Sequence, residues 1–194
     1  MLFASKYKIL ALIVIIIYIN SKNNDLRKIN KVSIISLKIN GPGTQYIFRD
    51  DSKLPNKIYI NGQETTVSRY IENLNENENI ITFRWENDLT DCSEIFIENS
   101  NIIEIDLSQF STSSATTMFF MFCGLTEITS LNISHFVTTS VISMEKMFYG
   151  CKQLTSLDLS NFDTSSVEDF SYMFKGCSKL TSLNLNNFNT IKVK

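Results

Sequence analysis

Few residues in this chain have the type and spacing that chemistry requires. His135 is the single histidine, and without a second one beside it neither a metal site nor an acid-base pair is assembled. Asp106 and Asp158 fall at equivalent points of a recurring pattern whose other two equivalents are Asn132 and Asn184. Carboxylates about 5 to 10 Å apart suit glycoside hydrolysis. Nothing in the neighbouring sequence would push one of these two pKa values above the other, which an acid and a base need. The chain has no phosphate-cradling glycine loop and no nucleophile motif, and its serines fall at cap and surface positions. No catalytic residue, metal ligand or cofactor is assigned, and the chain reads as a non-enzyme.

The elements that position these residues repeat. Leu131, Leu157 and Leu183 are spaced by 26, Ile105 lies one step earlier, and Phe110, Phe136, Phe162 and Phe188 keep the same register. A fixed period of this size marks a repeat architecture and moves the functional question toward surface recognition. Each copy has two halves. In the first, apolar residues fall at offsets 0, 3, 6 and 7, as in Val141, Met144, Met147 and Phe148, which predicts one stripe of a short helix. Ser165 and Glu168 have capping-box spacing, and Gly124, Gly150 and Gly176 follow the stripe where a helix would end in a left-handed residue. In the second half, Leu154, Leu157 and Leu159 have the L-x-x-L-x-L pattern, which predicts one strand per coil, stacked into a parallel sheet. One repeat buries too little apolar surface to offset the entropy of ordering itself, so neighbours must share burial.

Charge is balanced, with 18 Lys and Arg against 20 Asp and Glu. Basic residues thin out through the repeats, so no nucleic-acid partner is expected. Lys6 and Lys8 precede the unbroken apolar run Ile9 to Ile19, 11 residues long. That is short for a bilayer span of about 20 residues and suits a secretory leader. Residues 1–21 are read as a signal peptide cut after Ser21, with an uncleaved signal anchor as the alternative and the only route to a membrane. In an oxidising compartment Cys92, Cys123, Cys151 and Cys177 could pair. Cys92 occupies the Met118 and Met144 slot, and Cys151 and Cys177 share one slot. Buried free thiols are the first reading and a Cys151–Cys177 link the second.

Residues 22–30 read as a linker. Strands are predicted over Val32 to Ile39, Tyr46 to Phe48, Lys57 to Ile60, Glu64 to Val67 and Ile80 to Trp85, with a tight hairpin at Asn61-Gly62 and a loop from Asn73 to Asn79. They form a β-rich N-terminal capping domain at 31–88, followed by an array of about four coils at 89–194. The last coil carries no polar cap after Leu183 and Leu185. This reads as a longer array cut short, or as a face that a partner covers.

The run Met147-Phe148-Tyr149-Gly150-Cys151 through Leu154-Thr155-Ser156-Leu157-Asp158-Leu159-Ser160-Asn161-Phe162-Asp163-Thr164-Ser165, restarting at Met173-Phe174-Lys175-Gly176-Cys177, resembles the BspA-like leucine-rich repeats of bacterial and protist surface proteins. The resemblance runs from about residue 89 to the end, with Glu98 and Leu125 departing from it. It implies an α/β leucine-rich-repeat solenoid, a secreted or cell-surface location, and binding or adhesion without catalysis. Because Phe162 and its equivalents replace the usual Asn, no internal Asn ladder is expected.

Ligand contact is assigned to the exposed sheet face at Asp106, Asn132, Asp158, Asn184, Ser134 and Ser160, where short polar groups suit a protein or glycan on another cell or matrix. Asn132-Ile133-Ser134 is also a glycosylation sequon. The alternative function is a structural spacer or self-assembling piece that stacks end to end through the last coil.

Overall fold

The computed structural model describes residues 32–49, 53–75, 77–96 and 99–194. The leader and linker assigned to residues 1–30 lie outside the described residues.

Seven strands form: β1 (Ser33–Asn40), β2 (Gly43–Tyr46), β3 (Lys57–Ile60), β4 (Gln63–Thr65), β5 (Tyr70–Leu74), β6 (Glu78–Trp85) and β7 (Ile102–Gln109). Five of them make a sheet in the order β4-β3-β6-β1-β7, while β2 and β5 pair separately. Every pairing is antiparallel. The alternation expected of a half-buried strand is plain in β1 and β6. Ile35 faces Phe83 and Leu37 faces Ile81 across the ladder, and all four are buried. Asn61 and Gly62, with φ of 50° and 84°, turn β3 into β4. The strand predicted at Tyr46 to Phe48 lies instead at Gly43–Tyr46, and β5 occupies part of the predicted Asn73 to Asn79 loop.

The sheet does not end at residue 88. β7 is the Leu-pattern segment of the first repeat, and it pairs with β1, Leu37 opposite Ile105 and Ile39 opposite Ile102. An aromatic cluster extends that junction inward. Phe83 and Phe48 lie 5.0 Å apart, and Trp85 is 6.0 Å from Phe110, the first member of the periodic Phe row. Buried Lys53 also donates to the Ser93 carbonyl and pairs with Asp91 at 3.3 Å, fastening the strand region to the first repeat.

Beyond β7 the repeats are built from turns joined to one another. The amides of Met118, Phe120, Phe122 and Gly124 donate to the carbonyls of Ser143, Glu145, Met147 and Tyr149, one repeat on. Met144, Lys146, Phe148 and Gly150 donate in the same way to Asp169, Ser171, Met173 and Lys175. Between these, i-to-i+3 bonds such as Met121 to Met118 and Met147 to Met144 close successive turns. Phe96, Phe122, Phe148 and Phe174 form a file with centroid separations of 6.1, 5.6 and 5.7 Å, nearly parallel at the last two steps. Leu131 and Leu157 are buried, and Leu183 packs against the same core half-exposed.

These facts overturn the expected fold, the α/β leucine-rich-repeat solenoid with one parallel strand and one short helix in each 26-residue coil. The chain instead carries a small antiparallel sheet with almost no helix: no α-helix occurs among the described residues, and parallel contact is limited to isolated bridges linking Asp91, Thr117, Ser143 and Asp169. Two local causes account for this. Each apolar stripe contains a residue in the left-handed region, Glu94, Phe120, Lys146 or Tyr172, with φ between 52° and 59°. Such a residue cannot continue a right-handed helix, and at Glu94, Phe120 and Lys146 its own amide is already committed to the next repeat. In the second half, side-chain amides take carbonyls that a ladder would use. Asn161 Nδ2 holds the Ile133 and Phe136 carbonyls, and Asn187 Nδ2 holds those of Leu159 and Phe162.

The caps change meaning accordingly. Gly124, Gly150 and Gly176 have positive φ but end turns rather than helices. Glu168 does not close a capping box with Ser165; its carboxylate pairs with Lys194.

Candidate functional site

Two surfaces of the repeats carry groups able to meet a ligand. The first is the polar row assigned from sequence. Asp106, Asn132, Asp158, Asn184, Ser134 and Ser160 are all exposed, but the Asx members are not idle. Asp106 Oδ1 accepts the Ser108 amide at 2.9 Å, Asp158 Oδ1 the Ser160 amide at 2.9 Å, and Asn184 Oδ1 the Asn186 amide at 3.0 Å. Asn132 Oδ1 accepts both the Ser134 hydroxyl at 2.8 Å and the Ser134 amide at 3.3 Å. Each is an Asx turn, in which the side chain replaces a backbone acceptor and fixes the bend after the leucine segment. The row is thus a set of immobilised polar groups, with the second carboxylate or amide position left to face solvent.

Donation from the Ser160 amide and hydroxyl holds the Asp158 carboxyl below the usual carboxylate range. A general acid needs the opposite shift. His135 bridges repeats: its Nε2 lies 3.2 Å from the Phe110 carbonyl and its ring packs edge-on against Phe136, the same task that Asn161 and Asn187 perform in later copies. So, beside the expectation of no internal Asn ladder, the side-chain amides of Asn161 and Asn187, one residue before Phe162 and Phe188, join repeats from the surface side.

The joint that sequence reasoning missed is buried. Thr112, Thr138 and Thr164 are at most 3% exposed. Thr138 Oγ1 donates to the Asp163 carbonyl at 2.9 Å and accepts the Asp163 amide at 2.9 Å; Thr112 does the same with Val137, and Thr164 with Asn189. One hydroxyl per repeat therefore satisfies both backbone groups of one residue in the next. The period-26 threonine column was the available signal.

The second surface lies on the opposite half of the repeat, at the left-handed residues. Phe120, Cys123, Lys146, Tyr149, Tyr172 and Lys175 line a shallow cleft of about 300 Å³. Lys146 Nζ sits between two rings, 4.6 Å from the Phe120 centroid and 5.6 Å from that of Tyr172, and is paired with Glu145 at 2.7 Å. Lys175 Nζ lies 4.9 Å from the Tyr172 centroid and has no ion-pair partner among the described residues. These columns were passed over because they hold no constant residue type; the varied aromatic and basic side chains at one repeat offset were the sign.

The thiols are free. Cys151 and Cys177 donate to the Phe122 and Phe148 carbonyls at 3.1 and 3.0 Å. Burial pushes the Cys92 and Cys151 thiols up to about 12, so neither is a thiolate nucleophile at neutral pH. Among the described residues no group of three or more His, Cys, Asp or Glu is placed to hold a metal ion, and no helix is long and apolar enough to cross a membrane.

A family model described as "Mycoplasma protein of unknown function, DUF285" matches residues 90–194, more than half of the chain. The chain belongs to that family. This corrects the resemblance to BspA-like leucine-rich repeats, since the match over the same residues is to DUF285 instead. No curated protein and no solved structure matches.

Proposed function

We propose that this member of DUF285 is a non-catalytic binding protein, secreted or displayed at the cell surface, that recognises a protein or glycan through the exposed row of Asp106, Asn132, Asp158 and Asn184 with Ser134 and Ser160. One observation carries the reading: all six are exposed, and the Asx members are fixed by hydrogen bonds to the backbone two residues on. Groups already ordered lose little conformational entropy when a ligand docks. The absence of an upward carboxyl shift at Asp158 supports recognition over acid catalysis. The leader-like residues 1–21 support export.

Binding of the full chain to immobilised glycans and matrix proteins tests this. Replacing Ser134 and Ser160 by Lys keeps the Asx acceptors and crowds the row. Loss of the bound ligand with unchanged thermal unfolding is the expected outcome; retention of every ligand refutes the assignment.

A further inference from the structure

We propose that the cleft at Phe120, Lys146, Tyr149, Tyr172 and Lys175 is a second binding site, separate from the polar row, whose ligand is a carboxylated sugar residue such as a hexuronate.

The argument begins with charge. The chain as a whole carries a net charge of −2, yet this cleft presents two ammonium groups and one carboxylate, Glu145, which Lys146 already engages at 2.7 Å. Lys175 is left as the uncompensated cation, exposed and poised over the Tyr172 ring. An anion is the complementary partner, and the aromatic wall beside the ammonium limits solvent competition for it.

The shape and the backbone decide which anion. A volume of about 300 Å³ accommodates roughly one or two sugar rings and is at the small end for ligand sites. Its lining combines one phenylalanine and two tyrosines with two lysines whose ammonium groups lie over the Phe120 and Tyr172 rings. That mixture matches a sugar, which offers an apolar C–H face, hydroxyls around its rim and, in a hexuronate, one carboxylate. An extended acidic peptide would need backbone donors from the wall to add as a strand. Five of the six lining residues have their amides engaged: Phe120 and Lys146 donate to the Glu145 and Ser171 carbonyls at 3.0 and 2.9 Å, and Cys123, Tyr149 and Lys175 donate to the Phe120, Lys146 and Tyr172 carbonyls. The Tyr172 position alone is too little for a strand to add to. The left-handed backbone at Phe120, Lys146 and Tyr172 turns these three equivalent side chains outward as one column, with the ammonium held between two rings.

Calorimetric titration of the full chain with methyl glucuronide, methyl glucoside and a short glutamate peptide tests the assignment, with amide and aromatic NMR shifts locating each contact. The glucuronide is expected to bind at this cleft, moving signals of Tyr149 and Tyr172, and the uncharged glucoside to bind about tenfold more weakly, the scale of one lost charge-assisted contact. Lys175→Gln is expected to weaken the glucuronide by about fivefold to tenfold and Lys175→Arg to restore most of it. Equal binding of glucuronide and glucoside, no effect of Lys175→Gln, or tighter binding of the glutamate peptide at the same residues would each overturn the proposal. Lys175 lies outside the polar row, so failure here leaves the row's own test untouched.

Discussion

Replacing Thr138 by Val should cost the protein more than replacing it by Ser, although Val keeps the volume and is the more apolar side chain. Thr138 is 1% exposed, and its hydroxyl both donates to the Asp163 carbonyl and accepts the Asp163 amide, each at 2.9 Å. Valine removes both bonds and leaves the Asp163 N–H and C=O facing a methyl group in a part-buried joint. An unsatisfied buried group costs about 1 to 3 kcal/mol. Two of them, reduced by what the extra methyl returns, give about 2 to 4 kcal/mol. Serine keeps the hydroxyl and loses one methyl, about 0.5 to 1.5 kcal/mol. For a chain of this length each kcal/mol shifts the midpoint by about 2 to 4 °C, so Thr138→Val should fall by roughly 5 to 15 °C and Thr138→Ser by no more than about a third of that. Far-ultraviolet circular dichroism should be followed alongside the fluorescence of Trp85, which packs 6.0 Å from Phe110 at the junction of sheet and repeats. Coinciding curves would show that sheet and repeats unfold together. A Val variant as stable as the parent, or more stable than the Ser variant, would mean that the hydroxyl ladder is not what joins the repeats.

Glycine substitutions should rank by backbone approach. Gly150→Ala meets only ordinary contact at 3.8 Å and bears the positive-φ cost, about 1 to 2 kcal/mol, whereas a Cβ at Gly176 lies 3.3 Å from the Gly150 Cα and adds a backbone shift; chemical denaturation of both variants measures the order. Thiol labelling of the native protein should modify Cys177, half-exposed, well before Cys92 and Cys151, whose burial and raised pKa keep them unreactive until the chain opens; mass spectrometry of timed samples reads the sequence of events. Asp158 and Asp163 are held below their usual range by donation from Ser160 and Ser165. Their contribution is therefore full above the unfolded value near 3.8 and is lost as pH falls through the lower folded values. Denaturation midpoints should drop as pH goes below about 4, and Asp163→Asn should flatten that decline.

What the sequence revealed was position, and what it concealed was conformation. Apolar spacing located the buried residues: Val141, Met144, Met147 and Phe148 are all 0% exposed. The same offsets fit a helical stripe, so the period alone did not distinguish a helix from a run of linked turns. The deciding fact was the left-handed backbone at Phe120, Lys146 and Tyr172. Aromatic and lysine side chains do not announce that geometry, which asparagine or glycine would have done. In the second half, Leu157 and Leu159 alternate with Asp158 as a strand residue pattern should, yet no strand forms there, because Asp158 closes a turn on Ser160 and Asn187 occupies the Leu159 carbonyl. Only in the first copy does the Leu pattern become a strand, β7, and its partner is β1, from a part of the chain with no repeat. Pairing across such a separation leaves no periodic trace. The site followed the same division. The polar row was visible as columns; the cleft, made of differing residues in equivalent places, was not.

The way the repeats satisfy their backbone also determines where recognition is available. An isolated helix or hairpin bonds internally, but each repeat here sends alternate amides to its successor. The interior is then completed by stacked Phe rings and one threonine hydroxyl per copy. Those residues must recur, since a change in one misfits two neighbours. The positions whose side chains stay out of that interior are released from that demand, and it is there that types diverge: Phe120, Lys146 and Tyr172 in one column, Cys123, Tyr149 and Lys175 in the next. Three copies of one backbone turn thereby present different chemistry at regular intervals. A protein that holds its repeats together through constant interior contacts, and varies the side chains on a rigid turn, has the physical means to acquire a ligand at that turn without disturbing its core.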